Sequence, residues 1–255
     1  MKGKIAVNAN AGAAEYLSGV HAIAGWLERQ PQRLVTLYHE GESGGAAAKL
    51  IAAARAAGVS HEIAPRHRLD QLAAGARHQG VVARVRPFPY ADLDQLREQQ
   101  PRLLLALDQI NDPRNLGAII RSSAALGAGG ILLPRDGSVG VTAVAETAAS
   151  GNAALLPICR VGNLARTLLE LKEEAGGYWM VGLDAAAELA VAELSLPDRV
   201  VLVVGGEAGV RRLVRERCDF TARIPMAPGV ESLNAAVAAA IGLYEIGRQW
   251  NTLTR

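Results

Sequence analysis

Two stretches of this sequence hold polar residues whose types and spacing suit chemistry. The first is Asn111–Ser123, NDPRNLGAIIRSS. Asp112-Pro113 and Asn115 open a helix there as turn and N-cap residues, and Leu116, Ile119, Ile120 and Ser123 then share one buried stripe. Arg121 projects about 140° from that stripe. It reads either as a surface arginine or as one aimed at a phosphate or a partner subunit, where its planar fork matters. The second stretch begins with an apolar strand running into Gly205-Gly206-Glu207-Ala208-Gly209. Consecutive glycines at a strand's carboxyl end let backbone approach a ligand closely, while Glu207 fits equally as a carboxylate at a helix N-terminus. The loop Ile224–Asn234 follows, with Met226 and Gly229 exposed and Ser232 and Asn234 at the start of a long helix. Ser232 reads as its N-cap, a role compatible with function.

Other patterns carry less. Gly41-Glu-Ser43-Gly-Gly45 matches a nucleophile elbow between a strand and a helix, and Asp70 and His78 follow in hydrolase order. Only one strand precedes it, no oxyanion loop lies upstream, and a flexible Gly/Ser turn explains the same residues. Gly127-Ala-Gly129-Gly130 follows a helix and precedes a strand, the reverse of a dinucleotide-binding loop, and reads as a helix C-cap. The five histidines lack HxxxH or HExxH spacing, so no metal is expected. Cys159 and Cys218 stand far apart without a CxxC, which fits a reduced cytoplasm.

The positioning elements are legible from hydrophobic pattern. At 255 residues the chain has room for one large or two modest domains, and its net charge of +2 permits an anionic partner without requiring one. Aromatics make up only 4%, which favours packed helices over a β-sandwich. No stretch reaches the ~18 apolar residues of a membrane helix, and the N-terminus lacks a signal-peptide pattern, so a cytoplasmic protein without membrane contact is expected. Residues 1–17 read as a loose tail. A small α/β domain follows over 18–86, with helices at Val20–Arg29, Ala46–Ala57 and Leu69–Ala74 and strands at Arg33–His39, Ser60–Ala64 and Val81–Arg86. The polar, Pro-flanked run 87–101 reads as a linker. From 102 to 255 a second α/β domain carries unalternated apolar strands at Leu103–Leu107, Gly130–Leu133, Leu155–Val161, Trp179–Leu183 and Val200–Val204, the pattern of a parallel sheet buried on both faces. Its helices are expected at Asn115–Leu126, Val141–Ala149, Leu164–Glu174 and about Ser232–Gln249, the last with Leu233, Val237, Ile241 and Tyr244 on one stripe.

Three segments taken together, DPRNLGAIIRSSAALG, VVGGEAGVRRLV and IPMAPGVESLNAAVAAAIGLYE, resemble the SpoU (TrmH-type) RNA 2′-O-ribose methyltransferases of the SPOUT superfamily, in order and spacing over 103–250. GVHAIAGWLER and HQGVVARV in the first domain are similar to the ribosomal-protein-like RNA-binding domain of one subgroup, which methylates a guanosine of large-subunit ribosomal RNA. The resemblance implies a deep C-terminal trefoil knot and S-adenosylmethionine bent within it, with Gly205, Gly206, Ile224, Met226 and Leu233 at the cofactor. It further implies a homodimer through the C-terminal helix and Arg121 as the catalytic arginine. Asn115, Glu207, Ser232 and Asn234 would orient Arg121, the ribose and the knot loops.

The implied function is AdoMet-dependent methylation of a ribose 2′-hydroxyl, on rRNA first. A tRNA substrate or a non-catalytic RNA-binding homologue are the alternatives. One departure stands out: the family usually carries about G-x-E-G-x-G where this chain has the shorter Gly205–Gly209 run with Ala208 in place of the middle glycine.

Overall fold

The computed structural model describes residues 15–41, 44–174 and 177–252. Its first half is built from β1 (Glu15–Ser18), α1 (Val20–Arg29), β2 (Leu34–His39), α2 (Gly45–Ala56), β3 (Ser60–Ile63), α3 (Arg66–Ala73) and β4 (Val81–Val85). The strands form a mixed sheet in the order β1-β4-β2-β3, with β4 antiparallel to β1 and β2, and β2 parallel to β3. The expected tail therefore gives way to strand at Glu15, because Leu17 is fully buried and the backbone of 15–18 pairs with Val82–Val85. The rest of that tail lies outside the described residues.

The linker expectation also changes. Asp92 accepts hydrogen bonds from the amides of Asp94 and Gln95 and so caps a short helix, α4 (Leu93–Glu98), whose Leu96 is buried. Phe88 is buried edge-on against Trp26 at 5.6 Å, and Ala91 bridges to Cys159 of the second half. Residues 87–101 are thus packed structure.

The second half continues with β5 (Leu103–Asp108), α5 (Pro113–Ala125), β6 (Gly130–Pro134), α6 (Ala143–Ala149), β7 (Ile158–Val161), α7 (Leu164–Glu173) and β8 (Trp179–Leu183). It ends with β9 (Val200–Gly205), α8 (Arg212–Arg215), β10 (Phe220–Ala222) and α9 (Ala235–Gln249). Six parallel strands run in the order β10-β8-β9-β5-β6-β7. The unalternated apolar runs are explained by two covered faces. One packs on α7 with Leu164, Leu168 and Leu171, the other on α5, α6, α9 and the first half. The strand expected from Leu155 starts only at Ile158, since 152–154 form a helical turn and Leu155 is exposed.

Gly127 ends α5 at φ +79, and the Ala128 amide reaches back to the Ser123 carbonyl at 3.0 Å, a Schellman closure that uses the glycine as expected. α5 lies between α6 and α9. Gly117 makes the α6 contact feasible, since a Cβ there would fall 2.3 Å from the Ala145 carbonyl oxygen.

A single apolar cluster joins the halves, running from Leu17, Ile23 and Trp26 to Leu116, Ile119 and Ala149. At its centre Glu146 of α6, fully buried, accepts from Arg33 Nη1 (2.5 Å) and Nη2 (2.7 Å) and from Trp26 Nε1 (2.6 Å). The Arg33 guanidinium stacks 4.1 Å from the Trp26 ring centroid. Burial, then the charge of Glu146, pushes the Glu15 carboxyl above the usual range, and Arg33 pulls it back.

Both cysteines are kept as thiols. Burial pushes Cys159 up to about 11 and Cys218 up to about 12, with Asp92 and Asp219 adding to the effect. Only the thiolate is a good nucleophile, so iodoacetamide at pH 8 is expected to modify neither cysteine in the native protein and both in guanidinium. Mass spectrometry reads the result; rapid native labelling of Cys218 would contradict it.

Candidate functional site

The loops leaving the carboxyl ends of β5, β8 and β9, together with the segment between β10 and α9, enclose a cavity of about 1180 Å³. Pockets for drug-sized ligands run roughly 300–1,000 Å³, so this one has room for a cofactor-sized molecule and part of a second reactant. Asn115, Gly205, Gly206, Glu207, Ile224, Met226, Ser232, Leu233 and Asn234 all line it. These are nine of the ten expected site residues. Arg121, the tenth, lies exposed on α5 outside the lining, and its side chain makes no hydrogen bond or ion pair among the described residues.

The glycine loop shows why Ala208 is tolerated. Gly206 accepts at its carbonyl from the Gly209 amide (2.9 Å), which closes a tight turn over Glu207 and Ala208. The left-handed backbone falls on Gly209, at φ +75, and Ala208 stays out of that region. The shorter run therefore places its glycine where the turn requires one. Gly205 and Gly206 are needed for close approach: a Cβ would stand 2.2 Å from the Gly209 backbone and 2.2 Å from the Gln109 carbonyl oxygen, respectively. Gln109, itself on the cavity wall, adopts φ +59, a strained setting for a residue with a side chain.

A buried carboxylate missing from the sequence reading holds this loop. Asp108, at the end of β5 and fully buried, accepts from the Arg211 amide (2.8 Å), from Arg211 Nε (2.8 Å) and from Arg211 Nη2 (2.6 Å). The Asp108 carbonyl accepts from the Gly206 amide at 2.8 Å. The end of β5 is thus tied to the turn before α8, 103 residues along the chain. On the other wall Asp184 pairs with Arg215 at 3.1 Å. The only sequence trace of Asp108 is an acid closing an otherwise apolar run.

Asn234, rather than Ser232, caps the last helix. Its Oδ1 accepts from the Ala236 (2.8 Å) and Val237 (3.4 Å) amides, while Nδ2 donates to Asn115 Oδ1 at 3.0 Å. One side chain thereby starts α9 and ties it to the first turn of α5. Ser232, relieved of capping, is exposed in the cavity wall. The helix begins at Ala235 and turns inward a face of small and apolar residues, Ala236, Ala239, Gly242, Leu243 and Ile246. The stripe Leu233, Val237, Ile241 and Tyr244 is instead exposed, between 36% and 53%. Packing on β9 selects the small face, because a Cβ on Gly242 would approach Leu202 Cδ2 to 2.9 Å.

Of the hydrolase-like residues, His78 and Asp70 do meet, at 2.9 Å, and the Gly80 amide donates to His78 Nδ1 at 3.1 Å. Nδ1 is therefore the acceptor, and Nε2 carries the proton toward Asp70. Ser43 lies outside the described residues. Among the described residues no three His, Cys, Asp or Glu side chains form a metal-binding group, and no helix is long and apolar enough to cross a membrane.

Comparison with known proteins accords with this geometry. Residues 102–244 match the model of the SpoU rRNA Methylase family, and residues 16–91 match that of the RNA 2′-O ribose methyltransferase substrate binding domain. The chain is 42% identical over 238 residues to the 23S rRNA (guanosine-2′-O-)-methyltransferase RlmB of Coxiella burnetii, covering 91% of this chain and 94% of the relative. It is 40% identical over 244 residues to the putative TrmH family tRNA/rRNA methyltransferase YacO of Bacillus subtilis, covering 93% and 96%. Among solved structures, the SpoU methyltransferase AviRb from Streptomyces viridochromogenes in complex with AdoMet superposes with a TM-score of 0.78 at 30% identity, over 93% of this chain and 91% of that one. With a family model spanning more than half its length and relatives matched almost end to end, the chain belongs to the SpoU rRNA methylase family.

Proposed function

We propose that this protein transfers the methyl group of S-adenosylmethionine to a ribose 2′-hydroxyl of RNA, with a guanosine of large-subunit rRNA as the target. The observation that carries the reading is the convergence of nine expected residues on one cavity whose glycine loop leaves no space for a Cβ. The C. burnetii relative bears the name of that activity, and the substrate-binding match covers most of the first half. A tRNA substrate is the second reading, favoured by the name of the B. subtilis relative, which includes both RNAs.

The cavity wall suits this cofactor. Leu183, Val204, Ile224, Met226 and Leu233 offer an apolar surface for a purine, and loop backbone at 205–210 offers hydrogen-bonding groups at close range. When bound, AdoMet supplies a methyl group already activated on a sulfonium sulfur. The 2′-hydroxyl oxygen attacks that carbon in line, the oxygen–carbon bond forms as the sulfur–carbon bond breaks, and the hydroxyl proton leaves to solvent. What remains for the protein is positioning and charge. Asn115, fixed by Asn234, and Ser232 present polar groups to the ribose, and Glu207 lies at the loop tip. Arg121 anchors the adjacent phosphate and lowers the cost of negative charge building on the 2′-oxygen. It acts by charge and by its planar fork.

The same reading extends to assembly and topology. The exposed stripe Leu233, Val237, Ile241 and Tyr244 is the face we assign to a homodimer contact, and a second copy would complete the site around Arg121, which one chain leaves off its cavity wall. Exposed apolar stripes of this kind mark protein contacts. A trefoil knot over the last sixty residues is supported by the path of the chain, which returns from the edge strand β10 to α9, packed on the central β9 and on α5, past the loops that line the cavity. A cytoplasmic location follows from the substrate.

Two tests bear on these points. Gly206→Ala drives a Cβ against the Gln109 carbonyl, and calorimetry is expected to show AdoMet affinity reduced at least about tenfold, or about 1.4 kcal/mol. Unchanged affinity would contradict the cofactor's place. Ile241→Asp puts a carboxylate in the middle of the stripe, where burying it unpaired is costly. Sedimentation at micromolar concentration is expected to change from dimer to monomer, and a wild-type monomer would overturn the assignment.

A further inference from the structure

We infer that single-stranded RNA flanking the target nucleotide leaves the cavity along the carboxyl edge of the large sheet, over the ends of β5, β6 and β7, where Arg135 and Arg160 take its phosphates. The inference rests on the RNA-methylating reading and adds to it a binding path outside the cavity.

A continuous set of contacts marks the path. Ile110 is part of the cavity wall, and its carbonyl accepts from the Val139 amide at 2.8 Å. At the next residue, Gly140, a Cβ would stand 3.0 Å from the Tyr90 hydroxyl and 3.2 Å from Arg160 Nη1, so the three groups lie close together. Tyr90 is fixed by accepting at its hydroxyl from the Val141 amide, 2.8 Å away, and the Arg160 guanidinium lies 5.6 Å from its ring centroid. Arg160 also donates from Nη2 to the Arg135 carbonyl at 2.6 Å, so its position is set before any ligand arrives. Arg135 is exposed, at the turn after β6, and its side chain has no hydrogen bond or ion pair among the described residues. Asp136 follows it, exposed, and makes no ion pair with it among the described residues.

These features fit a nucleic-acid strand. Two guanidinium groups and an aromatic ring, linked to the cavity wall through the Val139–Ile110 hydrogen bond, are the kinds of group that follow a phosphate backbone. Arg160 has a structural role in holding the turn. The Arg135 side chain has none among the described residues, which leaves its charge available to a ligand.

The test uses the full-length protein and a fluorescein-labelled, mixed-sequence single-stranded 20-nucleotide RNA. Affinity is measured across a salt series for the wild type, for Arg135→Gln/Arg160→Gln, and for Arg166→Gln on α7 across the sheet as a charge control. AdoMet binding to each variant reports on the fold. The double variant is expected to bind RNA about tenfold more weakly near 0.15 M salt. Its salt dependence should be shallower by about 1.4, at roughly 0.7 per phosphate contact on single strands. Arg166→Gln should match the wild type in both. Unchanged RNA affinity and slope with AdoMet binding intact overturns the path while sparing the methylating site. Wild-type protein that binds AdoMet but no RNA overturns both. If the double variant does not fold, Arg135→Gln alone decides, with an expected drop of about 0.7 in slope.

Discussion

Glu146→Ala is expected to cost about 3–5 kcal/mol of folding stability, the range for removing one partner of a buried ion pair. Arg33 is 3% exposed and would keep its weak link to the Arg86 carbonyl (3.2 Å), the rings of Trp26 and Phe88, and the charge of Glu15 nearby. The Trp26 indole would lose its acceptor as well. Against a typical total of about 5–15 kcal/mol, urea unfolding should shift strongly and could leave part of the chain unfolded at 37 °C. Replacing both partners by apolar residues, Arg33→Met with Glu146→Leu, should recover most of the loss, because the penalty comes from the stranded charge. A single-variant cost below about 1 kcal/mol would mean that water reaches Arg33 and the halves are not joined as described. The contact matters for the proposed function because it fixes the first half on α6, which packs against the helix carrying Asn115 and Arg121.

Arg121→Ala is expected to lower kcat for methyl transfer by about 10²–10³, the usual effect of removing a preorganised charge from a developing oxyanion. AdoMet affinity should be unchanged, since Arg121 is not on the cavity wall. Arg121→Lys should restore little of the rate, because an ammonium cannot reproduce a planar, two-pronged phosphate contact. Activity within a few-fold of wild type in the alanine variant would remove Arg121 from the chemistry and return it to the role of a surface arginine.

The parts of this molecule that the sequence discloses are those governed by local pattern. β5, β6, β8 and β9 announce themselves as apolar runs, and α5 and α7 by period and caps. What stays hidden depends on partners far along the chain. Residues 92–101 read as polar linker, yet Asp92 caps a helix there and Leu96 enters the core beneath β5 and β6. Arg33 reads in the sequence as a charged residue opening a strand, and Glu146, 113 positions away, explains its burial. The sequence shows the stripe Leu233, Val237, Ile241 and Tyr244 for the last helix but not which face meets the sheet; the close approach of Gly242 to Leu202 admits only the small-residue face there.

The site divides in the same way. Asn115, Glu207, Ser232 and Asn234 were candidates because three short motifs occur in order, and the fold gathers them at one cavity. The exchange of the N-cap from Ser232 to Asn234 was not legible, since both residue types favour that position. Asp108 lies outside the three motif segments and Arg211, inside the second, had no role read for it, although together they hold the glycine loop against β5.

The most direct measurement is methyl transfer from labelled AdoMet to 23S rRNA and, separately, to bulk tRNA, followed by digestion to nucleosides. The expected result is label in 2′-O-methylguanosine from rRNA, absent with Arg121→Ala. Label confined to tRNA would keep the chemistry and change the substrate. Label on a base instead of a ribose, or none on naked rRNA, tRNA or ribosomal particles from a protein that binds AdoMet, would contradict ribose 2′-O-methylation by this site.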